Sequence, residues 1–132
     1  MGKLETQPAS LRSSPHYTPW HGHITVLTVA PQYRRMGYAR LLCRALEDAC
    51  DAQNAWFVDL YVRASNQVAI DMYKKMGYSV YRRVVGYYGD GVSNEKGEDA
   101  FDMRKPCSRE GAMKWIRETG GEDFEVDPED VY

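Results

Sequence analysis

Two guanidinium groups, a glycine and an alanine lie together at Arg34-Arg35-Met36-Gly37-Tyr38-Ala39, where an apolar segment ends at Pro31 and helical spacing begins. The first turn of a helix leaves backbone N–H groups without intrahelical partners, and the helix dipole makes that end positive. A phosphate is well held there. Gly37 lets the backbone come close to a ligand, Ala39 keeps bulk away, and Arg34 and Arg35 offer charge-assisted contacts to phosphate oxygens. The combination suits a polyanion such as a pyrophosphate; the plainer reading is a tight turn with solvated arginines. It is not the mononucleotide-binding loop, because no G-K-[ST] follows, and the dinucleotide pattern G-x-G-x-x-G is absent.

His21 and His23 stand two apart in a strand-like segment, hence on one face. They could be two metal ligands, but the sequence offers no evident third, and no metal is expected. The cysteines Cys43, Cys50 and Cys107 are odd in number and form no C-x-x-C pair. They read as reduced thiols of a cytoplasmic protein rather than as a disulfide framework.

The elements that must position these residues follow from periodicity. The chain has 132 residues, 43% hydrophobic and 27% charged, which fits one ordinary globular domain. A net charge of -2 speaks against a mainly electrostatic nucleic-acid binder. No apolar run is long enough to span a bilayer, and the first residues lack the apolar core of a signal peptide. "MGKLET" matches the short myristoylation pattern, which often matches by chance.

"HGHITVLTVAP" is apolar on both faces, as in a strand buried inside an α/β sheet. From Gly37 the period changes, and Tyr38, Leu41, Leu42, Ala45, Leu46 and Ala49 make one helical stripe, with Arg40, Arg44, Glu47, Asp48 and Asp51 opposite. "AWFVDLYVR" is a second strand. "SNQVAIDMYKKMGY" is a short helix with Ser65 or Asn66 as cap, Lys74 and Lys75 at its negative end, and Gly77 closing it. "YSVYRRVVGYY" reads as a strand, a glycine-rich turn follows, and "DAFDMRK" returns as its antiparallel partner. Three parts result: residues 1–19 as a short strand and irregular loop, 20–106 as an α/β (α+β) core, and 107–132 as a short helix and an acidic mobile tail.

These residues carry a family likeness. "RRMGYA" resembles the R/Q-x-x-G-x-G/A signature of the GCN5-related N-acetyltransferases (GNAT), and "SNQVAIDMYKKMGY" resembles their S-N-x-x-A-x-x-x-Y-x-x-x-G-[FY] signature. From Trp20 through Lys105 the chain resembles the catalytic subunits of N-terminal acetyltransferase B (NatB) complexes. The resemblance implies the GNAT acyl-CoA N-acyltransferase fold, a mixed central sheet flanked by helices. It also implies transfer of acetyl from acetyl-CoA, without metal, to protein N-termini beginning Met-Asp, Met-Glu, Met-Asn or Met-Gln. Such subunits work with a large helical auxiliary subunit and meet nascent chains at the ribosome through it. Family members carry a strand, two helices and two further strands ahead of the stretch resembling "WHGH", and here only "MGKLE" resembles the end of the last of these. The expectation is a chain lacking the N-terminal part of the fold. The residues resembling Met1 and Gly2 then fall inside a strand, which counts against myristoylation.

By the same resemblance, Leu27 and Val29 would offer backbone hydrogen bonds to the pantetheine, and Arg34, Arg35, Gly37, Tyr38, Ala39 and Arg40 would hold the pyrophosphate. Tyr73 would give a proton to the departing CoA sulfur, a task that suits a phenol. Its plainer role is a core aromatic on the helix stripe. Asn66 would add cofactor contacts and water ordering to its cap. His23 and Thr25 would read the second side chain of the peptide, and Tyr87 and Tyr88 would hold its backbone. Two alternatives remain at this stage: a fragment that binds CoA or the auxiliary subunit without turnover, and an acetyltransferase acting on lysine or small amines.

Overall fold

β-Branched and aromatic residues at alternate positions give this chain its strands, and two stretches of helical period supply its helices. The computed structural model describes residues 2–5, 21–24, 33–88 and 97–131. In chain order the elements are β1 (Gly2–Glu5), β2 (His21–Ile24), α1 (Tyr33–Ala52), β3 (Phe57–Arg63), α2 (Gln67–Lys75), β4 (Ser79–Val84), β5 (Ala100–Pro106) and β6 (Glu125–Val126). Short 3-10 turns occupy Ala112–Trp115, Gly121–Asp123 and Pro128–Asp130. No helix among the described residues is long and apolar enough to cross a membrane.

The strands make one mixed sheet in the order β1-β2-β3-β5-β4-β6. β2 pairs parallel with β3, while β3, β5 and β4 pair antiparallel. Alternation divides the sheet into two faces. Ile24, Val58, Leu60, Val62, Val80, Phe101 and Met103 share a core with Cys43 and Cys50 of α1 and with Ala69, Ile70, Met72 and Tyr73 of α2. Asp59 and Tyr61, between those β3 positions, turn to the other face.

α1 buries a side that overlaps the leucine stripe at Leu46, which packs partly buried against the core. Cys43 and Cys50 are fully buried, whereas Leu41 is 65% and Leu42 37% exposed, and Ala45 and Ala49 are exposed too. The physical reason is close approach. A Cβ placed on Gly22 would lie 2.2 Å from Cys50 Sγ, so the small thiol and the missing side chain let α1 sit directly on β2. Glu47 turns inward with them, accepting from Tyr78 Oη at 3.0 Å and from Lys105 Nζ at 2.6 Å.

The C-terminal stretch corrects a second expectation. Residues read as a mobile acidic tail lie along β4: β6 pairs parallel with it, Arg83 N donates to Phe124 O at 2.8 Å, and Val126 is buried. Left-handed Gly111 and Gly120 begin two of the 3-10 turns. Arg117 lies between the rings of Tyr81 and Phe124 and donates to the Tyr81 carbonyl. The short helix expected near residue 112 is the 3-10 turn Ala112–Trp115. β4 also ends earlier than read, at Val84. Gly86 then takes φ +69° and donates its N–H to Asp99 Oδ1 at 2.9 Å, which turns Tyr87 and Tyr88 out of the strand.

Candidate active site

On the helix face, α2 positions Asn66 and Tyr73. The Asn66 side chain accepts from Ala69 N at 3.2 Å, a standard N-cap, and Gly77 closes the helix at φ +100°. Tyr73 lies about two turns beyond Asn66, 2% exposed, with its ring edge-on to Tyr78 at 5.8 Å. Burial, then the neighbouring Cys43, hold its phenol well above the usual range. Burial and then Glu47 push the Cys43 thiol up to about 11. Both groups keep their protons at neutral pH. Tyr73 is therefore a protonated donor beside an uncharged thiol.

α1 begins earlier than its leucine period indicates, so Gly37 lies inside the helix rather than in the turn before it. Arg34, Arg35, Gly37, Tyr38, Ala39 and Arg40 occupy its opening turns, and the free N–H groups of its start precede Gly37. A Cβ on Gly37 would meet nothing within 4 Å. Gly37 thus keeps a surface clear instead of making a turn. Gly37 and Arg40 are exposed; the side chains of Arg34, Arg35, Tyr38 and Ala39 lie outside the description, as do Thr25, Leu27 and Val29 altogether.

The opposite face of the sheet gathers the residues expected to meet a peptide. His23 on β2 packs edge-on to Tyr61 at 5.3 Å, Tyr61 to Tyr87 at 5.0 Å, and Tyr87 to Tyr88 at 5.0 Å. Arg63 lies 4.2 Å over the Tyr88 ring, and its guanidinium pairs with Glu98 at 3.3 Å. Tyr61 is the bridging residue that sequence reading missed. Burial, then the charges of Asp102 and Asp59, raise its phenol well above the usual range, and burial likewise raises Tyr87 and Tyr88.

Asp59 was missed as well. Its carboxylate is buried beside both histidines, 2.7 Å from His23 Nδ1 and 3.7 Å from His21 Nε2. Burial alone would raise its pKa, but the His23 hydrogen bond and the positive fields of His21, His23 and Arg104 bring it down to about 2. The three groups place donor atoms within 4.8 Å of one another, so the third metal-type donor absent from the sequence reading is Asp59. Ligands of a tetrahedral zinc at ~2.1 Å stand ~3.4 Å apart. The 2.7 Å contact is the length of a charge-assisted hydrogen bond instead. The signal available in the sequence was one carboxylate inside an otherwise apolar strand.

The two groups lie on opposite faces of β3, whose pairing with β2 among the described residues runs from Val58 to Leu60.

Known proteins resemble this chain in sequence and in fold. The profile of the acetyltransferase (GNAT) family matches residues 9–78. The chain is 55% identical over 112 residues to the N-terminal acetyltransferase B complex catalytic subunit naa20 of Schizosaccharomyces pombe. That match covers 85% of this chain and 61% of the relative, so the chain spans about three fifths of its length. A crystal structure of Chaetomium thermophilum Naa20 in complex with a bisubstrate analogue superimposes with a TM-score of 0.89 at 57% identity, covering all of this chain and 70% of that one. A NatB acetyltransferase complex bound to CoA and MES gives a TM-score of 0.59 at 42% identity, covering 81% of this chain and 62% of that one.

Proposed function

Since the chain belongs to the acetyltransferase (GNAT) family, and within it groups with the NatB catalytic subunits, we propose that it transfers acetyl from acetyl-CoA to the α-amine of protein N-termini. The substrates are N-termini beginning Met-Asp, Met-Glu, Met-Asn or Met-Gln. The working form is a complex with an auxiliary subunit, through which it meets nascent chains at the ribosome. A cytoplasmic location goes with this reading.

The residues take the following parts. The opening turns of α1, with Arg34, Arg35 and Arg40, hold the diphosphate of the cofactor over the clear surface at Gly37. Leu27 and Val29 bind the pantetheine amides, and Thr25 joins His23 in reading the second side chain. The free α-amine attacks the thioester carbonyl carbon, a C–N bond forms, the C–S bond breaks, and the amine loses a proton to water. Tyr73 donates a proton to the leaving thiolate, and Asn66 fixes the helix end that carries it. Tyr87 and Tyr88 flank the peptide backbone.

The observation that carries this reading is Tyr73: a buried phenol that keeps its proton, set on α2 by a capped first turn and a left-handed closing glycine. The test is the complex with its auxiliary subunit, assayed on a Met-Asp peptide against an N-terminally blocked lysine peptide. Met-Asp is expected to be acetylated, and Tyr73→Phe is expected to lower kcat about 100-fold while CoA affinity stays within about twofold. Undiminished turnover by Tyr73→Phe would remove the proton donor. CoA binding without turnover of either peptide would leave a non-catalytic binder, and acetylation of the lysine peptide alone would change the acceptor.

A further inference from the structure

Tyr73 is aimed by packing, and the packing leads through Tyr78 to α1. Tyr78 grips the proton donor twice. Its backbone N–H donates to the Tyr73 carbonyl at 3.0 Å, which helps close α2, and its ring stands edge-on to the Tyr73 ring at 5.8 Å and 68°. Tyr78 is itself buried, and its hydroxyl donates to Glu47 Oε2 at 3.0 Å. Burial and then Glu47 hold that phenol well above the usual range, so it keeps its proton and stays a donor.

Glu47 is fixed from a second side. Lys105 Nζ on β5 donates to Oε1 at 2.6 Å, so each carboxylate oxygen has its own donor. The Lys105 stem runs past Gly77, where an added Cβ would lie 3.2 Å from Cε. The glycine that closes α2 thus also makes room for the lysine that holds Glu47. The Glu47 side chain is 17% and that of Lys105 33% exposed, so the contact is drier than a surface ion pair.

Glu47 belongs to α1, whose opening turns carry Arg34, Arg35 and Arg40, and lies about 15 Å along the helix axis from Gly37. One helix therefore carries both the end read as the diphosphate site and the carboxylate that holds Tyr78. A phenol that must reach a departing sulfur has to be registered against the cofactor, since a misplacement of about 1 Å can cost about 100-fold in rate.

We propose that Glu47 is a positioning residue for acetyl transfer: through Tyr78 it fixes the ring of Tyr73 relative to a cofactor held at the start of the same helix. This rests on the reading of Tyr73 as the proton donor. It goes beyond it in assigning part of the rate to a carboxylate on another helix.

The test is a double-mutant cycle in the complex with its auxiliary subunit, read on a Met-Asp peptide. Glu47→Ala is expected to lower kcat about tenfold, with the CoA dissociation constant and the peptide KM within about twofold. Glu47→Gln keeps an acceptor for the Tyr78 hydroxyl and is expected to recover most of the loss. In a Tyr73→Phe background, where no proton donor is left to aim, Glu47→Ala is expected to change kcat by less than about twofold. An equal loss in both backgrounds overturns the inference, because it shows a general structural effect. Undiminished kcat in Glu47→Ala overturns it as well, and leaves the proton donor standing if Tyr73→Phe alone is slow. Undiminished turnover by Tyr73→Phe removes the proton donor and this inference with it. Should Glu47→Ala fail to fold, Tyr78→Phe goes through the same cycle: it keeps the ring edge, drops only the hydroxyl, and the same outcomes decide.

Discussion

Gly121→Ala isolates what the C-terminal segment does for the sheet. An ideal Cβ on Gly121 would lie 1.8 Å from the Val80 carbonyl oxygen and 2.5 Å from its carbon. Real Cβ contacts essentially never fall below 3.0 Å, so the segment must withdraw from β4 by at least about 1 Å. The obstacle is backbone, which cannot rotate aside. Three hydrogen bonds are at stake: Arg83 N to Phe124 O at 2.8 Å, Val85 N to Val126 O at 2.9 Å, and Arg83 Nε to Glu122 O at 3.1 Å. At about 1 kcal/mol each, and about 2 kcal/mol for the buried Val126 side chain, full withdrawal costs roughly 5 kcal/mol and partial withdrawal roughly 3. The loss reaches the site, because Val126 shares its cluster with Val84 and Ala100, against which Tyr61 and Tyr88 pack. Guanidinium unfolding should show the loss in stability, and hydrogen exchange should show early opening at the Val85 amide. Peptide KM should rise more than the CoA dissociation constant. A variant within about 0.5 kcal/mol of wild type, with the Val85 amide still protected, would refute the account, since a surface change typically stays within that range.

The contact between α1 and β2 gives a reciprocal test: Gly22→Ala should cost about 2 kcal/mol, and adding Cys50→Ala should recover most of it, because Cys50 Cβ lies at an ordinary 3.7 Å from the new methyl. The double variant in denaturant decides, and additive losses would sink the steric explanation. The buried Asp59 carboxylate makes stability depend on acid. Its folded pKa is depressed to about 2, so its contribution is fully present above the ordinary carboxylate value and is lost as pH falls toward 2. Stability of the wild type between about pH 5 and pH 2 should therefore fall more steeply than that of Asp59→Asn, by on the order of 2 kcal/mol. Equal slopes would show that the His23 bond does not stabilise the ionised form.

The two helices, the strands β3 and β5 and the caps of α2 were legible because their signals are local: period, punctuation and a capping side chain at fixed offset. What the sequence concealed depends on which element lies against which. The leucine stripe of α1 is real as a pattern, yet packing at Gly22 selects the side of Cys43, Leu46 and Cys50 and leaves Leu41 and Leu42 exposed. The terminal acidic stretch has a composition that reads as unstructured, but Val126 and the bare Gly121 backbone dock it onto β4. In the site, Tyr73, Asn66, His23, Tyr87 and Tyr88 stood out through motif and likeness. Asp59 and Tyr61 did not, because their role appears only once β2 lies parallel to β3 in the register that sets His23 opposite Asp59.

The order of the sheet also governs when this protein can assemble during its synthesis. β5 lies between β3 and β4, although it follows both along the chain. Until Ala100–Pro106 has been made, the two earlier strands have no neighbour in common, and the β3 edge that β5 will occupy stays open. Both halves of the apolar layer thus wait on β5, so the core closes only once that segment has been made, rather than by adding each strand as it emerges.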